Sequence, residues 1–446
     1  MQVSMKLRSV QVENFRAIRS LTVPLDPALT VLHGNNGHGK TSLLAAIAMG
    51  LRIIPDMLRC SADPDRWLTF KPDVECKPSD VRRGSARANI ELRSLDGNCW
   101  VQKSPSEIPY VLEIRGQDTH NIQNDHFFRY LRGLVTSVVS NPREILPVVA
   151  YYATDRAMLD VPRDDKDFRR EFDRYDAYDD ALAAKTSFKM LVEWFVANEN
   201  RELRAQRDAN DFGRRLPELE AVRRAITSMM GDVSAPRIDP SGRFVVTRRA
   251  SDKVSEKLEL EQLSGGYRIV LAMAADLAIR MVLANPYLGD PLQSEAIVLI
   301  DEIELHLHPE WQQRIIGDLQ RTFPNAQFIV STHSPQVLTT IKPEHIVHLR
   351  ATDDGIMAEQ ETGPTYGAKA GDVLQAVMGV KQRPANEFGN KLEQYQSLIA
   401  ADAGETPPAL ALRQTLESLS PDDPALAALD VEIRHHKLMR ELAKRS

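Results

Sequence analysis

The chain has 446 residues, of which 26% are charged and 43% hydrophobic, and its formal net charge is −6. This length accommodates roughly one to three domains. The acidic balance argues against a general nucleic-acid coat protein, although not against a local basic groove. The three cysteines lack metal-ligand spacing, so we expect reduced thiols of a cytoplasmic protein.

The sequence indicates neither a secretory signal nor a membrane span. Residues 1–15 contain no continuous apolar segment. The longest apolar stretch, residues 269–284, is interrupted by Asp276 and Arg280, whereas a bilayer span needs about 20 predominantly apolar residues. We therefore expect this stretch to be a buried helix.

The first elements are strands that lead into a glycine-rich turn. Alternating apolar and polar residues over 5–33 predict two paired strands. Within this stretch, residues 29–32 form a short apolar strand, and residues 41–53 have helical spacing. Between this strand and this helix lies Gly34-Asn35-Asn36-Gly37-His38-Gly39-Lys40-Thr41, which matches the phosphate-binding pattern GxxxxGK[ST]. A chance glycine turn is the alternative, and the flanking strand and helix argue against it.

In such a loop, glycines let successive backbone N–H groups face phosphates, and the following helix adds its positive end. Lys40 is expected to reach the β- and γ-phosphates as a catalytic residue, and the Thr41 hydroxyl to bind Mg²⁺. We predict that ATP is contacted by Gly34, Asn35, Asn36, Gly37, His38, Gly39, Lys40, Thr41 and Ser42.

The middle of the chain changes in character. Residues 86–115 are predicted to be strands with a hairpin turn at Asp96-Gly97, and 146–152 another strand. Residues 161–235 are rich in both signs of charge and have helical spacing, which indicates a helical insertion. This insertion is too short for the long coiled-coil arms of SMC proteins.

The second half alternates strands and helices, which predicts a largely parallel α/β core. The predicted strands are 244–247, 257–262, 296–300, 327–330 and 345–348, and the predicted helices are 266–284 and 309–323. The tail is expected to be helical and broken at Thr406-Pro407-Pro408 and Ser420-Pro421, with Asp423-Pro424 starting a helix. The predicted domains are an ATPase lobe (1–160), the insertion (161–235), a second ATPase lobe (236–383) and a helical extension (384–446).

Two further motifs carry chemistry. Ser264-Gly265-Gly266 lies between a strand and a helix and so forms a second anion-binding helix N-terminus. This terminus would have a function if it contacted the γ-phosphate of a nucleotide bound to another subunit. The buried run at 296–300 ends in Asp301, a predicted Mg²⁺ ligand, and Glu302, a predicted general base. Each motif has a purely structural alternative. Residues 264–266 would then be a glycine hinge before a core helix, and Asp301-Glu302 a solvated acidic turn.

Histidines offer one further candidate. His333 ends a strand where strand ends converge on a nucleotide, so we expect it to contact the γ-phosphate and the attacking water as a catalytic residue. His306 and His308 follow a strand two residues apart, but no third ligand is evident, so a metal site is not predicted there.

Together these motifs resemble the ABC-type ATPase heads of RecF, SMC and OLD-type proteins. The matching residues are the P-loop, Leu263 to Gly266, Asp301-Glu302 with the following residues 305–309, and His333. The resemblance implies a P-loop α/β fold with an antiparallel β-subdomain, and a head-to-head dimer with ATP and Mg²⁺ between the subunits. It also implies a nucleotide contact from Arg16, because Asn14-Phe15-Arg16 looks like the start of that group.

Residues 147–156, Trp194, Tyr366-Gly367 and residues 372–383 also resemble ATP-binding proteins of phage-defence systems such as Septu (PtuA) and PARIS (AriA). This resemblance implies control of a separately encoded nuclease or toxin. The chain departs from the pattern in having no clear Q-loop glutamine, and residues 151–156 occupy that stretch.

Two other functions stay open at this point. Arginines cluster in the insertion, among them Arg204 and Arg207, so a RecF-like DNA-binding ATPase in repair is the main alternative. Pairing with neighbouring acids is the simpler explanation of these arginines. A scaffold that holds ATP as a structural ligand is the other alternative, and Glu302 and His333 argue against it.

Overall fold

The computed structural model describes residues 4–62, 77–97, 99–104, 125–154, 171–183, 188–251, 254–381 and 383–443. The chain divides into two compact units, Met1–Val373 and Leu374–Ser446. The larger unit contains three sheets and the motifs predicted to bind nucleotide. The sequence analysis predicted that a helical extension starts at residue 384. It also predicted that an insertion at 161–235 divides the ATPase region, and both domain boundaries stay predictions.

Strands in the described residues belong to the larger unit. They are β1 Leu7–Phe15, β2 Ile18–Pro24, β3 Leu29–His33, β4 Ala88–Ser94, β5 Cys99–Ser104, β6 Val148–Tyr152, β7 Val233–Ile238, β8 Phe244–Ser251, β9 Val254–Glu259, β10 Ala296–Ile300, β11 Ala326–Ser331, β12 Ile346–Thr352 and β13 Gly355–Gln360. The predicted strand at 257–262 is wrong in its last three residues, which form a 3₁₀ turn. The Gln262 side chain accepts a hydrogen bond from the Glu259 backbone N–H at 2.8 Å, and this bond caps the N-terminal end of the turn.

Helices occur in both units. They are α1 Lys40–Leu51, α2 Ile53–Ala62, α3 Asp125–Ser140, α4 Phe188–Ala209, α5 Pro217–Met230, α6 Gly265–Ala284, α7 Pro309–Gln312, α8 Ile315–Thr322, α9 Pro335–Leu338, α10 Ala370–Ala376, α11 Glu387–Ala400, α12 Pro407–Leu419 and α13 Pro424–Ala443. The single helix predicted at 309–323 is therefore two helices. They are interrupted at Arg314, where φ is −115°.

The central sheet has the strand order β13-β12-β3-β11-β10-β6. The five strands from β6 to β12 are parallel to one another, and β13 is an antiparallel edge strand. β3, β6, β10 and β11 are buried along their whole length. Continuous apolar runs suit strands that are covered on both faces, so the predicted parallel α/β core is confirmed.

Two smaller antiparallel sheets accompany it, in the orders β2-β1-β4-β5 and β7-β8-β9. Buried and exposed residues alternate along β1 and β2, as the sequence pattern predicted. β4 and β5 form the predicted hairpin, and Gly97 in its turn has φ +81°. The predicted strand residues 105–115 lie outside the described part of the chain.

Two apolar helices pack into the core of the larger unit. α6 is buried from Ile269 to its end. The segment Lys40–Arg59, which includes α1 and most of α2, is long and apolar enough to cross a membrane by length and composition. However, 78% of its most apolar 18-residue stretch is buried inside the protein. Such burial is typical of a core helix that follows a P-loop.

The smaller unit has a core of its own. The three helices α11, α12 and α13 bury Leu392, Tyr395, Ile399, Leu416 and Leu426. α12 begins after Thr406 and α13 after Asp423, each with proline in its first turn, as the sequence predicted.

A buried charged network fixes α6 within the larger unit. The Arg280 guanidinium donates to the Asp276 carboxylate at 2.8 Å, and both residues are buried. Tyr152 on β6 donates its hydroxyl to the same carboxylate at 2.7 Å. Arg280 also donates to the backbone carbonyls of Ala177 and Asp179, so the network joins the helix, the sheet edge and a neighbouring turn.

Replacing Arg280 with methionine is expected to lower the free energy of unfolding by about 3–5 kcal/mol, because the Asp276 carboxylate would remain buried without its cationic partner. Urea denaturation followed by circular dichroism measures this change. Arg224→Met is the matched control, since Arg224 forms an exposed pair with Asp290 and should cost at most about 1 kcal/mol. Equal losses in the two variants would contradict the assigned role of the network.

Candidate nucleotide-binding site

The carboxyl ends of the central strands meet at one edge of the sheet. The parallel register aligns Ile300 of β10 with Val330 of β11, and Val330 with Val31 of β3. The residues that follow these three strands therefore lie at a common level. This is the edge at which open α/β sheets bind their ligands.

The loop between β3 and α1 depends on glycines. Gly34, Gly37 and Gly39 have φ values of +146°, +81° and +84°, a region that other residues rarely adopt. A Cβ at Gly34 would also lie 2.2 Å from the Leu349 carbonyl oxygen, so a side chain cannot fit there. The tip, residues 35–37, is exposed and leads to the N-terminus of the 12-residue α1, so the loop fits a phosphate group.

Lys40 begins α1 and is buried. Its ammonium group donates to the carbonyl oxygens of Gly34 at 2.7 Å and Asn35 at 3.1 Å. Burial lowers the pKa of Lys40, and three nearby carboxylates oppose that shift: Asp301, Glu302 and Glu304. The predicted P-loop lysine and the predicted acidic residues are therefore brought together. The adjoining Thr41 is exposed and Ser42 is half-buried.

The acidic pair at the end of β10 is held by β11. Asp301 is buried, donates its backbone N–H to Tyr152, and accepts a hydrogen bond from the Ser331 hydroxyl. The same hydroxyl accepts from the backbone N–H of Glu302 at 2.8 Å. Glu302 has φ +47°, an uncommon conformation for a residue with a side chain and one that recurs at functional sites. Ser331 thus positions both acids, a role that the sequence analysis missed.

Glu304 was also missed. Its carboxylate accepts from the Thr332 hydroxyl at 2.8 Å and from the backbone N–H of His333 at 2.5 Å. Burial lowers the pKa of His333, and the charge of Lys40 lowers it further, so the ring is neutral at pH 7. The sequence analysis had no signal for Glu304, because acidic residues are also common in solvated turns.

The signature residues lie at the start of α6. Ser264 and Gly265 are exposed, and no atom beyond its chain neighbours and its own helix backbone lies within 4 Å of a Cβ placed at Gly265. In contrast, a Cβ at Gly266 would lie 2.8 Å from the carbonyl oxygen of His306. The loop after Glu302 therefore packs against the helix terminus and links the two motifs within one chain.

Two predicted regions have other partners. The Arg16 guanidinium donates to Asp80 at 2.9 Å and lies 5.2 Å from the Phe15 ring centroid. Its predicted nucleotide contact stays a prediction. In the Q-loop stretch, Tyr152 is held by Asp276, and Asp155 and Arg156 lie outside the described residues.

Family comparisons agree with this geometry. Residues 29–339 match the family described as "AAA domain, putative AbiEii toxin, Type IV TA system". Residues 5–52 match the family described as "AAA ATPase domain". The longer match includes the P-loop, the signature residues 264–266, the acidic pair Asp301-Glu302 and His333.

Individual proteins are also similar. The retron Ec83 probable ATPase of Escherichia coli is 28% identical, over 96% of this chain and 86% of that protein. The Septu protein PtuA of Bacillus mycoides is 47% identical over 17% of this chain and 10% of its own length, in line with the predicted Septu resemblance. The SMC head domain of Thermotoga maritima has a TM-score of 0.39 at 12% identity, covering 80% of this chain and all of that domain.

Proposed function

Because this chain belongs to the AAA-domain family described above and is an ATPase, we propose that it acts as an ATP-driven switch. In this proposal two copies close head to head, and each ATP lies between the P-loop of one subunit and the signature residues Ser264, Gly265 and Gly266 of the other. Closing and reopening then control a partner effector. The two-fold arrangement forms both sites from one pair of complementary surfaces.

One observation supports the dimer most strongly. The P-loop tip and the signature terminus are both exposed, and each ends at the N-terminus of a long helix. One chain therefore presents two anion-binding termini but only one P-loop. A second copy supplies the missing half of each site without any change in fold.

The residues suit hydrolysis of ATP with Mg²⁺. Asp301 and Thr41 offer the hard oxygen donors that Mg²⁺ prefers. Bound Mg²⁺ would neutralise charge that develops on the phosphates. Lys40 holds the phosphates, Glu302 takes a proton from the attacking water, and neutral His333 contacts that water and the γ-phosphate. Ser331 holds the acids in place throughout.

The proposed role lies in anti-phage defence and in the cytoplasm. One similar protein is a retron ATPase and another is a Septu protein. The sequence-level resemblance to Septu implies a separately encoded nuclease or toxin as the effector. Gating by ATP would keep such an effector inactive until the switch changes state.

The contacts of two arginines in the insertion argue against their direct binding to DNA. Arg223 pairs with Glu199, Glu202 and Glu220, and Arg224 pairs with Asp290. The positive charges of Arg223 and Arg224 are therefore already balanced by neighbouring carboxylates. Salt-dependent DNA binding that is lost on charge reversal at Arg204 and Arg207 would favour the DNA-binding alternative instead.

ATP is expected to double the mass of Glu302→Gln protein in solution, because slow hydrolysis traps the closed dimer. Light scattering after size-exclusion chromatography, with and without Mg²⁺-ATP, measures this change. Adding Ser264→Arg should restore the monomer mass, since the larger cation blocks the signature terminus. Ser255→Arg, at an exposed serine on β9, should leave the dimer intact.

A mass that is the same with and without ATP, and unaffected by Ser264→Arg, would contradict the switch in this form. A dimer that Ser264→Arg leaves intact would place the interface elsewhere. The trapped dimer, if it forms, is also the species with which to identify the effector.

A further inference from the structure

A second cluster of ligating side chains lies behind the P-loop. His33 ends β3, His348 is its register partner on β12, and Glu361 follows β13. The His33 Nε2 atom lies 2.9 Å from a Glu361 carboxylate oxygen, and the two imidazole rings stack with centroids 4.2 Å apart. One ligand atom from each of the three residues lies within 4.8 Å of the others.

The surroundings hold the Glu361 carboxylate in a fixed orientation. One of its oxygens lies 2.9 Å from the His33 Nε2 atom. The other Glu361 oxygen accepts from the N–H groups of Gly363 at 2.7 Å and Thr362 at 3.0 Å, which orients the carboxylate.

We propose that His33, His348 and Glu361 form a binding site for a divalent transition-metal ion, best matched by Zn²⁺. Two imidazoles and one carboxylate, with a fourth position open to water, is a known zinc ligand set. Imidazole ligands favour Zn²⁺ over Mg²⁺ or Ca²⁺. The side chain of His33 is 2% exposed and that of Glu361 10%, while His348 is half-buried and gives the ion a path inward.

An ion at this site would connect the three strands that support the P-loop. His33 directly precedes Gly34, and Gly34 packs against the carbonyl of Leu349, the residue after His348. His38 within the loop also lies 3.0 Å from that carbonyl. Zn²⁺ binding is therefore expected to stabilise the base of the nucleotide site. This inference does not depend on the proposed dimer.

The test uses the full chain freed of metal by a chelator and kept without nucleotide. Titration calorimetry with Zn²⁺ should show one more bound equivalent in the wild type than in His348→Asn/Glu361→Gln. Substitution of Co²⁺ should give visible d–d absorption of a tetrahedral site, and Zn²⁺ should raise the Tm of the wild type. Glu361→Gln alone should weaken Zn²⁺ binding by at least the roughly 10- to 100-fold that loss of an outer partner costs.

His345→Asn is the matched control, because His345 also lies beside a carboxylate, 3.5 Å from Asp26, but outside the cluster. This variant should bind Zn²⁺ like the wild type. Equal Zn²⁺ uptake by the wild type and the double variant would place the metal elsewhere and overturn the proposal. The proposal is also overturned if the wild type shows neither stoichiometric Zn²⁺ uptake nor a Co²⁺ absorption band. This outcome needs no variant, so it is decisive even if a variant fails to fold.

Discussion

Replacing Glu302 with glutamine is expected to lower steady-state ATP turnover by about 10²- to 10⁴-fold, the usual contribution of a general base. Glutamine has nearly the same shape but cannot take a proton from the attacking water. The backbone of residue 302 is held by the Ser331 hydroxyl at 2.8 Å, so the substitution should leave the loop in place. Release of phosphate measures turnover, and the Tm measured with Mg²⁺-ATP tests whether binding is retained.

Glu344→Gln is the control for this substitution. Glu344 is exposed, pairs only loosely with Lys342 at 3.8 Å, and lies outside the proposed site. Its turnover should equal that of the wild type. A Glu302→Gln protein that hydrolyses ATP at the wild-type rate would remove Glu302 as the base and leave Glu304 as the acid to test next.

Replacing Lys40 with alanine is expected to abolish both ATP turnover and stabilisation by ATP. The Lys40 ammonium group lies among the carbonyls of its own loop, which is the loop that fits a phosphate group. A ligand at 100 times its Kd stabilises a folded protein by about 2.7 kcal/mol, so the wild type should show a clear rise in Tm. The Lys40→Ala protein should show no rise at the same ATP concentration.

Lys342→Ala provides the comparison, because this lysine is largely exposed and far along the chain from the P-loop. Its ATP-induced rise in Tm should match that of the wild type. The Tm of Lys40→Ala without ATP must also be close to that of the wild type, which shows that the variant is folded. An undiminished ATP effect in folded Lys40→Ala protein would show that ATP binds elsewhere.

The two experiments separate binding from chemistry. Lys40→Ala should lose both, whereas Glu302→Gln should lose only turnover. If both variants lose ATP-induced stabilisation, Glu302 supports the site rather than acting as a base. The dimer measured with Glu302→Gln depends on this distinction, since only a variant that binds ATP can trap a closed state.

The P-loop was predictable from sequence because its function requires a local pattern. Glycines at fixed spacing are needed wherever the backbone curls around a phosphate, and Lys40 and Thr41 follow at the start of the helix. The buried run before Asp301 was equally clear, because a strand covered on both faces must be apolar along its whole length. These features concern neighbours in the chain, so they are visible without a fold.

Contacts between distant segments were not visible in this way. Glu304 receives hydrogen bonds from Thr332 and His333, and Ser331 holds Asp301 and Glu302. Each of these contacts joins the turn after β10 to the end of β11. The same residue types are common in solvated turns, so their sequence alone carries no signal.

By itself, then, the sequence determined the nucleotide loop, the parallel core and the order of the motifs, because each depends on local spacing or hydrophobic pattern. Only the tertiary structure decided which side chains share a site. It placed Ser331 beside the predicted acids and Glu304 beside His333. It also paired Arg223 of the insertion with glutamates and brought His348 next to His33. Pairing of parallel strands joins residues far apart in the chain, and the register that aligns them is set by packing of the whole sheet.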